Sequence, residues 1–244
     1  SPLVVAEHFA QGARRGNREA VTWLLRAAVE VVSLAPGTAL RLLDVALALC
    51  ATSPPFDLLV VRVQALAGAG HTAEAEALVR SLLREGLEPS TEARLRRELA
   101  LVYFTQGRAA ECVREMELVG GLTDDAHRGR VQAEIAFARF VGLDHAGARP
   151  SARAAVAEGQ RTGDVATRVA GCSVLCWLEL FANRFGSALA LTEEVVRLVR
   201  QPNAGEAHVY QPWFAVGLAR IEIDDHAGVA EAVGEGRAGA ERAG

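Results

Sequence analysis

A short turn followed by a small residue on a new helix recurs along this chain at nearly even spacing, and no other feature narrows the possible folds as far. It appears as Gly70-His71-Thr72-Ala73-Glu74-Ala75, as Gly107-Arg108-Ala109-Ala110-Glu111-Cys112 and as Asn183-Arg184-Phe185-Gly186-Ser187-Ala188. Looser versions stand at Leu143-Asp144-His145-Ala146-Gly147-Ala148 and Asp224-Asp225-His226-Ala227-Gly228-Val229. Counted from Gly70, the steps are about 37, 37, 40 and 41 residues, and Pro36-Gly37-Thr38-Ala39 is a similar turn one step earlier. Periods of this length belong to stacked helical hairpins, in which each unit has an apolar face that only its neighbours can cover. The segments between the turns carry helical spacing. Ala39, Leu43, Ala46, Leu47 and Cys50 fall on one face behind Pro36, a residue suited to a first turn. Leu189, Thr192, Val195, Val196 and Val199 do the same later. Two-residue alternation of β-branched residues is scarce, so the expectation is an all-α chain of roughly a dozen helices.

Composition agrees with that reading. Half of the 244 residues are hydrophobic but only 5% are aromatic, so the core must come from Ala, Leu and Val, and Ala and Leu are among the best helix formers. No apolar run approaches the ~18 residues a membrane span needs. The four cysteines (Cys50, Cys112, Cys172, Cys176) lie in apolar helical runs, as reduced thiols in a cytoplasmic protein would. All 26 basic residues are Arg, which with the wealth of Ala and Gly suggests a GC-rich genome such as that of an actinobacterium. Net charge is -4 and Arg is spread over every helix, so no basic face for phosphates is visible and direct nucleic-acid contact is not expected. The chain opens without Met and reads as a fragment of a longer protein.

A turn Gly followed by Glu-Ala four and five residues on resembles the tetratricopeptide hairpin. Gly70, Glu74 and Ala75 match it, and Gly107 and Glu111 match with Cys112 in the Ala place. Tyr103 occupies the repeat's aromatic position, and Trp213-x-x-Val216-Gly217 resembles the opening of its first helix. The chain departs from the pattern in its longer periods, in lacking Gly on most first helices, and in having Arg139 where an aromatic belongs. The resemblance implies a right-handed α-solenoid in which the first helix of each hairpin lines a concave groove. Small residues at Ala75, Cys112 and Ala188 let paired helices approach, while Tyr103 and Trp213 fill the gap to the next hairpin.

The N-terminal stretch is similar to a narrower group. Val5-Ala6-Glu7-His8-Phe9, Trp23-Leu24-Leu25-Arg26-Ala27-Ala28 and Ala35-Pro36-Gly37-Thr38-Ala39-Leu40-Arg41-Leu42-Leu43 resemble the start of the repeat region of the large ATP-binding regulators of the LuxR family. There the repeats follow a signalling-ATPase module and precede a helix-turn-helix. The resemblance implies one helical-repeat domain over 1–244, with 1–50 adjoining the ATPase module and 51–244 forming about five degenerate hairpins. It also implies that ATP belongs only to the upstream module. This stretch has no Gly-x-x-x-x-Gly-Lys-Ser/Thr loop and, with no Lys at all, needs no cofactor of its own.

Aligned on the turns, the groove positions of the first helices include Gln64, Arg94, Arg97, Phe104, Thr105, Ser173, Trp177, Gln211 and Phe214. Arg among aromatics and amides can grip a carboxylate or a polar ring, although the aromatics equally suit packing between hairpins. Other constellations favour structure. Cys172 and Cys176 share a helix face but have no further ligands with zinc-site spacing. His71, His145 and His226 recur in the turns as exposed edge residues without a positioned partner. Asp124-Asp125 fits a helix start near Ala126, and Asp224-Asp225 lies in a repeat turn. Ser151, Ser173 and Ser187 lack an activating frame. The expected function is therefore non-catalytic. The first reading is the sensor and coupling segment of a bacterial transcriptional regulator, binding a small effector or a protein partner and working on its own ATPase and helix-turn-helix domains, with homo-oligomerisation open. The alternative is a general protein-interaction adaptor. A peptide-carboxylate clamp is disfavoured, because such clamps use Lys and Asn and the chain has no Lys.

Overall fold

The computed structural model describes residues 2–125, 127–201, 204, 207 and 212–243, which hold thirteen α-helices and no strand. The chain divides into two compact units, Ser1–Gln106 and Gly107–Gly244.

In the first unit α1 (Pro2–Gly12), α2 (Arg18–Val31), α3 (Pro36–Leu49), α4 (Phe56–Gly68), α5 (Thr72–Leu82) and α6 (Pro89–Thr105) follow one another, with one 3-10 turn at Leu83–Glu85. The starts are set by local chemistry. Asn17 Oδ1 accepts the Ala20 N–H at 3.0 Å and caps α2, while Pro36 and Pro89 open α3 and α6, where no backbone donor is required. Ala39, Leu43 and Ala46 of α3 are buried as their spacing requires, and they share one core with Ala20, Leu24 and Ala27 of α2 and Leu58 and Val61 of α4. Helix α4 packs on α5, its hairpin partner, and also touches α2 and α6, so α2, α4 and α6 form an inner row.

The second unit holds α7 (Ala109–Leu122), α8 (Arg128–Val141), α9 (His145–Thr162), α10 (Val165–Phe181), α11 (Phe185–Val199), α12 (Pro212–Ile221) and α13 (His226–Ala243). Hairpins α8–α9, α10–α11 and α12–α13 stack, and α10 packs against α8, α9, α11 and α12. Asp144 and Asp164 cap α9 and α10 through their side chains. Gly171 marks a close approach of α10 to α9: a Cβ there would lie 2.8 Å from the Ala152 carbonyl oxygen on α9. The small residues Ala75, Cys112 and Ala188 are all buried, as are Tyr103 and Trp213.

Five of the turns between helices carry one residue in the left-handed region at the repeat position. Gly70 and Gly107 take it freely, and Leu143, Asn183 and Asp224 take it at φ 64°, 54° and 57°. These five residues give the true repeat register. Two readings need correction, and the Arg139 departure finds its explanation. His145 is half-buried, stacked on Phe140 with ring centroids 5.5 Å apart, so only His71 and His226 are exposed edge residues. Helix α8 begins at Arg128, not beside Asp124, and Asp124 instead accepts the His127 N–H at 3.1 Å and the His127 ring. Arg139 substitutes for the aromatic by tying helices together: its guanidinium donates to the Gly147 carbonyl and Ser151 Oγ on α9 and pairs with Glu117 on α7.

Candidate binding face

The candidate residues fall on the inner helices of both units. In the first unit, Gln64 of α4 donates through Nε2 to Glu98 Oε1 at 2.7 Å, so α4 and α6 are bridged side chain to side chain. Burial raises the Glu98 carboxyl above its ordinary value, outweighing the lowering by Gln64, Arg94 and Arg97. Arg94 is exposed, bonds Asp57 at 2.6 Å and lies 5.9 Å over the Phe56 ring. Arg97 and Phe104 are half-buried on α6. Thr105 donates its hydroxyl to the Val102 carbonyl, so its donor is spent within its own helix.

In the second unit the structure brings the aromatic candidates together. Trp177 of α10 is only 6% exposed, and its ring meets Phe137 of α8 at 5.7 Å and Phe214 of α12 at 6.4 Å. One aromatic from each of three successive first helices therefore stands in a row. Phe140 stacks on Trp177 at 5.3 Å and meets Phe181 edge-on at 5.5 Å. Such offset and edge contacts are the favourable aromatic geometries. Phe137, Phe181 and Phe214 are 39%, 66% and 58% exposed, with Val141 and Ile221 also exposed on the same helices. Ser173 lies one turn before Trp177 and is buried, so it forms part of the face's floor. Gln211 lies outside the described residues.

Polar atoms under this face lack partners. The Ser173 Oγ, Trp177 Nε1 and His145 Nε2 are buried without a hydrogen bond. A buried donor left unmade costs about 1–3 kcal/mol, a cost the packing around this aromatic cluster carries. The charges beside them are satisfied. The Arg184 guanidinium, with Arg149 adding to it against the opposing effect of burial, holds the Glu179 carboxyl down to about 2. Burial pushes the Cys172 and Cys112 thiols to about 11 and Cys176 to about 12, which leaves them protonated packing residues.

Phe137, Phe181 and Val141 were missed by the sequence reading. Their signal is register: six residues before the left-handed turn residues stand Gln64, Leu101, Phe137, Trp177 and Leu218, and two before them stand Thr105, Val141 and Phe181. Leu143, Asn183 and Asp224 do not announce their conformation as Gly does, so the offsets could not be fixed from sequence.

Solved structures share the fold. BtubC (BKLC) from P. vanneervenii superposes with a TM-score of 0.59 at 15% identity, covering 91% of this chain and 92% of that one. A putative kinesin light chain of Podosopora anserina with nearly identical TPR-like repeats gives 0.57 at 18% identity, covering 76% of this chain and 94% of that one. The fold is a stack of tetratricopeptide-like hairpins. No protein-family model and no curated protein matches the chain, and none of these comparisons supports the expected kinship with ATP-binding regulators. Among the described residues no helix is long and apolar enough to cross a membrane, and no three His, Cys, Asp or Glu side chains cluster to hold a metal.

Proposed function

We propose that the chain is a non-catalytic binding scaffold that takes a segment of a partner protein across α8, α10 and α12. The observation that carries this is the row Phe137–Trp177–Phe214, exposed at both ends and flanked by Phe181. Contiguous exposed aromatics are costly to leave in water, and aromatic anchors dominate protein interfaces.

The test is selection of random linear peptides displayed against the 244-residue chain. Enriched sequences should carry an aromatic or large aliphatic residue, and binding should weaken about tenfold or more in a Phe137→Ser/Phe214→Ser double variant. Peptides that bind wild type and double variant equally would remove this face as the site.

The finer reading is that the scaffold is the sensor and coupling segment of a bacterial transcriptional regulator, with its own ATPase and helix-turn-helix domains as partners. Support comes from Val5–Phe9, Trp23–Ala28 and Ala35–Leu43 and their likeness to the ATP-binding LuxR-type regulators. Its check is the parent gene: a phosphate-loop module upstream and a helix-turn-helix downstream are required, and a gene encoding repeats alone leaves the adaptor reading in its place.

A further inference from the structure

A second cavity, chemically unlike the aromatic face, lies wholly within the first unit. It measures about 890 Å³ and is walled by α2, α4 and α6, with Pro2 of α1 at its edge. That size falls in the range of small-molecule sites. Trp23, Leu25, Val29 and Val61 supply apolar walls, and Arg26, Glu30, Asp57 and Arg94 supply the charges.

Those charges are not equivalent. Arg94 and Asp57 are committed to each other at 2.6 Å, with Arg94 also lying over Phe56. Arg26 and Glu30 stand one turn apart on α2, and neither forms an ion pair among the described residues. Two local causes keep them from closing on each other. The guanidinium of Arg26 is drawn back one turn onto the Trp23 ring, 5.3 Å from its centroid. The order Arg then Glu along a helix is also the weaker of the two i, i+4 arrangements. The cavity thus holds one uncommitted cation and one uncommitted anion beside an apolar wall. A ligand with net charge leaves one of them unanswered, and a neutral ligand without charges leaves both.

We infer that this cavity is a binding site for a free α-amino acid with an apolar side chain. Arg26, whose planar fork suits a carboxylate and whose position is fixed by Trp23, takes the α-carboxylate. Glu30 takes the ammonium group. The side chain lies along Leu25, Val29 and Val61, removing their surface from water. The site is independent of the aromatic face, and either can fail without the other.

The experiment is calorimetric titration of the whole chain with L-phenylalanine and L-leucine, and with two blocked analogues: N-acetyl-L-phenylalanine, which lacks the positive charge, and L-phenylalaninamide, which lacks the negative one. The amino acids should bind, and each blocked analogue should bind about tenfold more weakly or worse. Arg26→Gln should abolish the preference for phenylalanine over its amide, and Glu30→Gln the preference over the N-acetyl form. Both residues are exposed and Gln is a good helix former, so unchanged melting temperatures will show that the variants fold. Phe214→Ser should keep both preferences. Analogues that bind as well as the amino acid, preferences that survive in the two α2 variants or vanish in Phe214→Ser, or absence of heat up to about 10 mM amino acid would each overturn the assignment.

Discussion

The inner helices of the two units share a backbone design and carry opposite chemistry. In the first unit they present guanidinium groups laid on aromatic rings, an Arg94–Asp57 pair and a Gln64–Glu98 bridge. In the second they present Phe137, Trp177 and Phe214, with exposed Phe181 alongside. The outer contacts hardly differ: Ala75 in one unit and Ala188 in the other are both fully buried where paired helices cross. Hairpin stacking is therefore decided by small buried residues and left-handed turns, and the inner face is free to vary. One face is lined by charged groups, the other by apolar rings.

This contrast can be broken by substitution, beginning with equivalent offsets. Trp177→Ala should cost about 4 kcal/mol of stability, because the side chain is buried against Phe137 and Phe140 of α8 and Phe214 of α12, whereas Leu101→Ala at the same offset should cost under about 1 kcal/mol, Leu101 being half exposed. Urea unfolding of the two variants measures this, and equal losses would erase the distinction between a packed and an open inner face.

Ion pairs should divide likewise. Glu179→Gln leaves Arg149 and Arg184 without their buried partner and should cost about 3 kcal/mol at neutral pH, against under about 1 kcal/mol for Asp57→Asn at the exposed pair. The Glu179 carboxyl is depressed in the folded chain, so its contribution is complete above the ordinary carboxylate value near 4.5 and disappears as pH falls toward about 2. Stability measured across that interval should fall less steeply in Glu179→Gln, and an unchanged slope would deny the group its role.

Gly171→Ala should destabilise the second unit by about 2 kcal/mol, since the added carbon meets both the Ala152 carbonyl and Val156. The smallest effects belong to the caps: Asn17→Ala in the first unit and Asp164→Ala in the second should each cost about 1 kcal/mol, read as a drop in melting temperature. Near-equal cap losses would support the view that the units differ in their faces and not in how their helices start.

Much of this architecture could be read from the residues alone. Turns at Gly70 and Gly107 are visible because only Gly adopts positive φ without strain, and Pro36 and Pro89 mark helix starts by lacking a donor. The turn positions at 143, 183 and 224 blurred the register because a Leu, an Asn and an Asp are strained into the same conformation by the packing around them. That blur is why Trp177 and Phe214 were picked out but Phe137 and Phe181 were not. His145 was misplaced for a related reason: nothing local predicts that its ring will be covered by Phe140 and Phe181, which come from two different helices. The arginine-lined cavity is not legible in the sequence because Trp23 and Arg26 on α2 are far along the chain from Asp57 and Arg94, and only tertiary packing makes them neighbours.

Helix α10 has almost no side turned to solvent, since twelve of its seventeen residues are buried. An element so enclosed cannot slide or tilt without dislodging whatever leans on it, because close-packed interiors pass strain onward instead of absorbing it. Gly171 seats it against α9 and Ala188 sits in the core it shares with α11, so this one rod holds both flanks of the aromatic row in place.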